Sequence, residues 1–309
     1  MQVAITRERE RESERASERA GVYGVTEAIS VAGRWNGKNG CEYCLCQLRA
    51  RITTQGSLED HESLVTALRK VDIVISTIAE ENLLEQLNLV RAIKEVGTIR
   101  RFLPSEFGSE IDKVHKVHNV LEPVEAAVLA PKREIRRAVE AAGIPYTCII
   151  SNAMASVFLS CLGQYGRTAP PTDNVVILGD GNAKVIWVDE ADIAKCTLKA
   201  MTDPRAVNMN VHIRPAANIL SMNEVVQIWE KKIGKTLEKT FIPEEDFVKR
   251  IREEKHLTSK KLAICHMVFI KGVLDVELDH GDLDASKLYP DVKYTSVESY
   301  LDHIMVDMV

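Results

Sequence analysis

The sequence predicts an α/β fold, a doubly wound parallel sheet of the Rossmann type followed by a smaller carboxyl-terminal domain. Residues 71–78 form a near-continuous β-branched run, which is typical of a parallel strand covered on both faces. Residues 82–97 follow with leucine, valine and isoleucine along one helical stripe. Strand and helix patterns then alternate as far as Ile150, as they do in doubly wound sheets.

The elements of this part of the chain follow from local start and stop signals. Ser57 is a plausible cap for the first helix, and Pro104 ends the third strand because proline cannot donate to a ladder. Gly143 with Pro145 is a helix stop signal. The predicted strands are 52–56, 71–78, 99–103 and 146–150, and the predicted helices are 57–70, 82–97 and 132–142.

Pro131 leaves the start of the basic helix open between two interpretations. It suits the first turn of a helix that begins at Lys132, where its missing N–H has no partner to lose. It would kink a helix that had begun earlier, near Glu122. The position of Lys132 along its helix depends on which interpretation is right.

The pattern is looser after Asn152, and here a smaller domain is predicted. Ser221 begins a capping box with Glu224, which marks the start of one helix. Predicted strands are 175–178, 184–188 and 210–214, and predicted helices are 190–201, 221–233, 244–254, 259–271 and one from Val297. The predicted domains are an atypical segment 1–50, a nucleotide-binding domain 51–155 with 175–215 contributing, and a substrate-binding domain of 156–174 and 216–309.

The composition limits the classes of partner that the chain is expected to bind. A net charge of −5 over 309 residues gives no footprint for nucleic acid or for an anionic membrane. No run is apolar enough to span a bilayer, so we expect no membrane partner. Seven cysteines, an odd number in a long chain, favour a reduced, cytoplasmic setting.

The first fifty residues carry no recognisable chemistry. Residues 7–19 hold five arginines and five glutamates with no apolar face, which predicts a disordered or frayed segment or a solvated helix laced with ion pairs. The glycines over 21–40 do not form a phosphate loop, which needs strand, glycine turn and helix in succession. Cys41, Cys44 and Cys46 lack a second cysteine pair, so we predict no metal.

Lys132 is the sharpest catalytic candidate. A lysine acts as a general base only if its pKa falls toward neutrality. The neighbouring charges of Arg133, Arg136 and Arg137, and a helix start beside Lys132, would all act in that direction. The alternative is an ordinary solvated basic face of a helix.

Polar residues follow three neighbouring predicted strands. The carboxyl edge of an open α/β sheet is where ligands bind, so these residues are expected to meet there. Ser76, Thr77 and Ile78 end one strand, Ser105, Glu106 and Phe107 follow the next, and Ser151 and Asn152 follow the third. His266 lies on an apolar helix, where a histidine is more often a core residue with a satisfied ring than a ligand contact.

Several of these stretches resemble the plant isoflavone-reductase-like enzymes, atypical short-chain dehydrogenases of the NmrA-like group. That group includes phenylcoumaran benzylic ether, pinoresinol–lariciresinol, isoflavone and leucoanthocyanidin reductases. The stretches are 101–108, the Lys132 helix, 144–147 and Ser151-Asn152. The likeness runs from about Gly56 to the carboxyl terminus. The glycine-rich loop that the family carries near its amino terminus is missing from this sequence.

The resemblance implies NADPH-dependent reduction of a phenolic, phenylpropanoid-derived substrate of the benzylic ether, lignan or flavonoid type. It implies that Lys132 is the base and that Met154 and His266 face the substrate. The implied cofactor-binding residues are Ser76, Thr77, Ile78, Ser105, Glu106, Phe107, Arg136, Ser151 and Asn152. The alternative is a cofactor-impaired, non-catalytic relative that binds a small molecule or a protein partner. A homodimer is left open.

Overall fold

The computed structural model describes residues 2–8, 25–32, 52–55, 57–78, 80–114, 122–254 and 256–307. The chain divides into two compact units, each assembled from three segments. The first comprises Met1–Glu106, Pro131–Cys148 and Thr197–Asn210, and the second comprises Phe107–Ala130, Ile149–Cys196 and Val211–Val309. The assignment of cofactor and substrate binding to 51–155 and 216–309 stays a prediction.

The first unit contains a five-stranded sheet with the strand order of a Rossmann fold. Its strands are β1 (Gln2–Glu8), β2 (Val25–Ala32), β3 (Ile52–Gln55), β4 (Ile73–Thr77) and β5 (Arg101–Leu103). They are arranged β3-β2-β1-β4-β5, and a parallel bridge from Phe102 to Tyr146 adds the next chain segment beside β5. This order matches the dinucleotide-binding arrangement and confirms the predicted fold class.

The orientation of β1 differs from the predicted parallel sheet. β1 pairs antiparallel with both neighbours, so that Gln2 lies opposite Thr77 and Thr6 opposite Ile73. Parallel neighbours need a crossover of a dozen or more residues, usually a helix packed on the sheet. The arginine and glutamate run after β1 has no apolar face for such packing. Because β1 is antiparallel to β4, the chain leaves β1 at the amino end of β4.

The helices of the first unit correct two predicted starts. Helix α1 (His61–Leu68) is capped by Asp60, whose carboxylate accepts from the Ser63 N–H at 3.1 Å, and not by Ser57. Helix α2 (Gln86–Val96) begins after a 3-10 helix over Glu80–Glu85 that is kinked at Asn82. The predicted start at residue 82 was therefore wrong by about one turn.

Helix α3 (Glu122–Ala142) is one helix with Pro131 inside it. The prediction of a helix that begins at Lys132 is wrong, and the earlier start near Glu122 is confirmed. Lys132 consequently lies in the middle of the helix, where no N-terminal dipole acts on its amine. The start of the helix is therefore too far away to lower the pKa of Lys132 as expected.

The first unit has a core between helices and sheet, with one cation at its edge. Leu68, Val74, Leu89 and Phe102 are fully buried there. Arg101 is 5% exposed, and its guanidinium donates to Thr147 Oγ1 at 2.7 Å and to the carbonyls of residues 200 and 203 at 3.0 Å each. Three neutral oxygens thus accept hydrogen bonds from a buried guanidinium that begins strand β5.

The remaining elements form small sheets and peripheral helices. Strands are β6 (Thr147–Ile150), β7 (Ala153–Met154), β8 (Asn174–Leu178), β9 (Lys184–Val188), β10 (Met209–His212), β11 (Ile219–Ser221), β12 (Glu238–Ile242) and β13 (Asp282–Asp284), in sheets β13-β10-β6, β11-β9-β7 and β12-β8. Helices are α4 (Ala155–Phe158), α5 (Glu190–Ala200), α6 (Met222–Ile233), α7 (Glu244–Glu253), α8 (His256–Phe269), α9 (Ala285–Leu288) and α10 (Val297–Asp307). Short 3-10 helices lie at Pro204–Ala206 and Ala216–Asn218.

The second unit packs around aromatic side chains. The rings of Trp187 and Phe269 have centroids 6.0 Å apart, and Phe158 meets Phe269 edge-on at 5.7 Å. The indole N–H of Trp229 donates to the carbonyl of Pro171 at 2.8 Å, so this fully buried ring has its one donor satisfied. Among the described residues, no helix combines the length and apolar character needed to cross a bilayer.

Gly181 lies at a turn that only glycine fits. Its φ is 72°, and a Cβ there would lie 2.6 Å from Ile177 Cγ2 and 2.7 Å from Asn223 Oδ1. Gly234, which ends α6, has a similar φ of 65° but no heavy atom within 4 Å of such a Cβ. A comparison of Gly181 with Gly234 therefore separates the cost of a left-handed backbone from the cost of steric overlap.

We therefore expect Gly181→Ala to lower stability more than Gly234→Ala. Both variants carry the left-handed backbone cost of about 1–2 kcal/mol, and only the first adds an overpacking cost of about 1–3 kcal/mol. Thermal unfolding midpoints of the two variants test this. Equal midpoints would show that the turn around Gly181 relaxes to admit a methyl group.

Candidate active site

Ser105 joins the ends of two neighbouring parallel strands in the first unit. Its N–H donates to Gln86 Oε1 at 2.8 Å, and its hydroxyl donates to the carbonyl of Ile78 at 2.9 Å. Gln86 is fully buried and anchors its own amide on the carbonyl of Leu83 at 3.3 Å. The structure thus brings Ile78 and Ser105 together at the carboxyl edge of β4 and β5, as predicted.

Lys132 reaches this edge from helix α3. It is half-buried, and its ammonium donates a hydrogen bond to the main-chain carbonyl of Glu106. A lysine on a freely solvated helix face would have no such fixed acceptor. The contact places the amine of Lys132 beside the residue that follows Ser105.

Arg136 lies one turn after Lys132 and pairs with the same residue. Its Nε donates to Glu106 Oε1 at 3.2 Å, and the two side chains are only 3% and 2% exposed. The guanidinium is therefore engaged with a protein carboxylate. Its predicted contact with the cofactor stays a prediction.

In the second unit, Asn152 is fixed through both its backbone and its side chain. Its φ of 58° is in the left-handed region, which asparagine adopts more readily than most residues. Its N–H donates to the carbonyl of Gly108 at 3.0 Å, and its amide Nδ2 donates to the carbonyl of Ile213 at 2.9 Å. Phe107 also has a positive φ, 23°, a conformation that costs of order 1–3 kcal/mol and clusters at functional sites.

The predicted substrate residues lie in different surroundings within the second unit. Met154 is half-buried and pairs with Val188 of β9 just before α4. His266 is fully buried, and its Nε2 lies 2.9 Å from a carboxylate oxygen of Glu244, which Lys271 also contacts. This partner favours the alternative of a satisfied core histidine. The substrate role of His266 stays a prediction.

A buried charge cluster in the second unit was not predicted. His212 Nε2 lies 3.0 Å from Asp282 Oδ1 and 4.0 Å from Glu110 Oε2, while the ammonium of Lys113 contacts Asp282 and lies 2.9 Å from Asp279. Burial lowers the pKa of His212 below its ordinary value. Burial acts to raise the pKa of Asp282, but hydrogen bonds from Lys113 and from the N–H of Asp279 hold it at about 2.

This cluster also contains metal-ligand atom types. Donor atoms of Glu110, His212 and Asp282 all lie within 4.8 Å of one another. A closed zinc site takes four ligands, and here the ammonium of Lys113 already supplies a cation to Asp282. The three predicted thiols at 41, 44 and 46 lie outside the described residues. The absence of a metal stays a prediction.

The residues at the sheet edge fit the reactive half of a dinucleotide. In the first unit, the hydroxyl of Ser76 is buried and has no hydrogen-bond partner among the described residues. Ser151, in the second unit, shares this property. A buried unpaired hydroxyl costs about 1–3 kcal/mol, and a polar ligand atom would remove that cost. At the described end of β1 the chain leaves the sheet by the opposite edge. Within the first unit, the fit therefore rests on the residues of β4, β5 and α3.

Residues 52–301 match the model of the NmrA-like family. The chain belongs to this family. It is 50% identical over 251 residues to phenylcoumaran benzylic ether reductase PT1 of Pinus taeda and 51% identical over 251 residues to eugenol synthase 1 of Petunia hybrida, covering 81% and 80% of this chain and 80% of each relative. A solved structure titled "AtPrR2 with NADP+ and (+)pinoresinol" is 40% identical with a TM-score of 0.76, covering 84% of this chain and 83% of that one.

These similarities confirm the resemblance to the isoflavone-reductase-like enzymes. The family match begins at residue 52, close to the point near Gly56 where the likeness was predicted to begin. Lys132, Glu106 and Arg136 all lie inside the matched region. The first 51 residues lie outside it.

The unfolding free energy of this NmrA-like protein should fall as the pH drops from 7 to 5. His212 is neutral when buried and has a lowered pKa, so the unfolded chain takes up a proton near pH 6.5 that the folded chain does not. Asp282, with a pKa near 2, does not titrate in this window.

His212→Gln tests this expectation, because glutamine can still donate to Asp282 but does not titrate. Urea unfolding of the wild type and the variant at pH 7, 6 and 5 gives the comparison. The variant should lose less stability over this range than the wild type. Parallel pH profiles would assign the loss to other groups.

Proposed function

We propose that this NmrA-like protein is an NADPH-dependent reductase of phenolic, phenylpropanoid-derived substrates of the benzylic ether, lignan or flavonoid type. The observation that carries the proposal is the hydrogen bond from Lys132 to the carbonyl of Glu106 at the end of β5. It places an amine at the carboxyl edge of a Rossmann-ordered sheet. The named relatives are reductases and a synthase of this chemical class.

The proposed role of Lys132 is that of a general base. Its neutral amine would take the proton of the substrate phenol, and the resulting ammonium would stay bonded to the carbonyl of Glu106. The phenolate then releases electrons toward the benzylic carbon, so that the benzylic C–O bond opens to a quinone methide. NADPH supplies the hydride for this carbon. The ring recovers its phenol proton from Lys132, and the leaving oxygen takes a proton from water.

Several residues would orient the reactants in this scheme. In the first unit, Ser76, Thr77, Ile78 and Ser105 line the ends of β4 and β5, and the Ser76 hydroxyl, which has no partner among the described residues, would meet a polar ligand atom. The Ser151 hydroxyl of the second unit also has no described partner and is proposed to act in the same way. Asn152 is held rigidly by two carbonyls, which suits it to contact the nicotinamide amide. Met154 is proposed to face the substrate.

The reductase is supported over the non-catalytic alternative by the family and by its relatives. NADPH titration by calorimetry tests the cofactor directly. We expect saturable heat for the full chain. No saturable heat at millimolar NADPH would exclude the reductase and leave the binding protein.

Lys132→Ala should reduce turnover of a phenylcoumaran with a free phenol by at least about 100-fold, the contribution of a positioned base. Affinity for NADPH should change little, because the alanine removes only the proton acceptor. The matched substrate is the same phenylcoumaran with its phenol methylated, which has no proton to give. Turnover of the methyl ether at the rate of the phenol would remove Lys132 from the mechanism.

We also propose a cellular setting for the protein. The four described cysteines, Cys148, Cys161, Cys196 and Cys265, are all buried thiols, which suits the cytoplasm. Burial raises the pKa of Cys265 to about 12, so this thiol is unreactive. We also propose a homodimer, which analytical ultracentrifugation of the full chain tests.

A further inference from the structure

We infer that the buried Glu106–Arg136 ion pair positions Lys132, and that Arg136 serves the reaction through this pair and not by holding the cofactor. The inference rests on the proposed function, because it concerns how the base is held. It reassigns one residue that the sequence had placed at the cofactor.

Two side chains of α3 contact the same residue, Glu106. Lys132 and Arg136 are four positions apart on α3 and so lie on one helix face. Both reach Glu106: the ammonium donates to its main-chain carbonyl, and the guanidinium Nε donates to its carboxylate at 3.2 Å. The end of β5 is thereby fixed to the helix at two points.

The two contacts also assign a different acceptor of Glu106 to each cation. A carboxylate is a stronger acceptor for an ammonium than a neutral carbonyl, because the attraction of opposite charges adds to the hydrogen bond. Arg136 engages the Glu106 carboxylate, and the amine of Lys132 donates to the main-chain carbonyl of the same residue. Without Arg136, the carboxylate would compete for the amine, draw it from its position and stabilise its protonated form.

The adjacent arginine shows that the pair is not an ordinary surface contact. Arg137 is 56% exposed and pairs with Glu140 at 2.8 Å, as solvated residues on helices commonly do. Arg136 is 3% exposed and meets a carboxylate that is 2% exposed. Two neighbouring residues of the same type thus provide a buried test position and an exposed control.

The experiment compares Arg136→Met with Arg137→Met in the full chain. Each removes one guanidinium, and a phenylcoumaran with a free phenol is the probe substrate. We expect Arg136→Met to lower kcat about 100-fold, as a misplaced catalytic group does, with the NADPH dissociation constant within about threefold of the wild type. Arg137→Met should stay within about twofold in both quantities, because the exposed Arg137 charge is paired with Glu140 and screened by water, so its predicted effect on the pKa of Lys132 is small. Arg136→Lys, which keeps the charge, should recover at least about tenfold of the lost kcat.

Glu106→Gln provides a second variant, because it keeps the carbonyl that accepts from Lys132 but removes the carboxylate. If Arg136→Met does not fold, as its circular dichroism would show, the double variant Glu106→Gln with Arg136→Met removes both buried charges and replaces it. The double variant should be no slower than the slower single variant, because both residues act through one pair.

The inference is overturned if Arg136→Met behaves like Arg137→Met, or if the two single losses multiply in the double variant. It is also overturned if the NADPH dissociation constant rises by the factor by which kcat/KM falls, since Arg136 would then hold the cofactor. In these cases an active wild type and an inactive Lys132→Ala leave the proposed function intact. A wild type that reduces no phenolic probe removes the proposed function and this inference together.

Discussion

A carboxylate and a guanidinium are buried together at the end of β5, and neither could remain charged there alone. Removing one ion from water into a protein interior costs several kcal/mol, which only a close partner offsets. Glu106 and Arg136 therefore tie the end of the strand to helix α3. Lys132 lies on the same face of α3. The ion pair therefore also fixes the position of the Lys132 amine relative to the end of β5.

Strand β5, which precedes Glu106, is short, and polar contacts hold it at both ends. Arg101 opens β5 and gives its guanidinium to three neutral oxygens of neighbouring segments. Beyond its last residue, Ser105 bonds to Gln86 and to the carbonyl of Ile78. A three-residue strand offers few ladder bonds, so these side chains fix its position more firmly than the sheet alone could. The catalytic edge therefore depends on buried polar partners as much as on apolar packing.

The sequence predicted elements well where the signal is local. The strand Lys184–Val188, the capping box at Ser221 and the helix start at Val297 are all confirmed, because neighbouring residues decide them. Ser57 and Asp60 are both competent caps, and the structure selects Asp60 with Ser57 in the preceding turn. Local pattern could not make that choice.

Long-range partners gave no sequence signal. The resemblance identified Lys132, Glu106 and Arg136 as site residues, but nothing in the spacing paired Arg136 with Glu106, thirty positions away. The buried cluster of Glu110, His212 and Asp282 is a stronger case, because its members come from three distant segments. The orientation of β1 was equally hidden, since antiparallel and parallel neighbours share one residue pattern on a covered sheet.

The orientation of β1 departs from that of the usual dinucleotide-binding fold. In the Rossmann unit the first strand ends at the carboxyl edge and its turn holds the pyrophosphate. Here β1 runs the other way, whereas β4, β5 and α3 retain the arrangement around Lys132 and lie wholly within the family match. Contacts with the phosphates hold the ground state and the transition state alike, while the base acts only on the reacting atoms. Under the proposed function, the direction of β1 bears on cofactor binding, whereas the proposed base, Lys132, lies in the part of the chain that keeps the family arrangement.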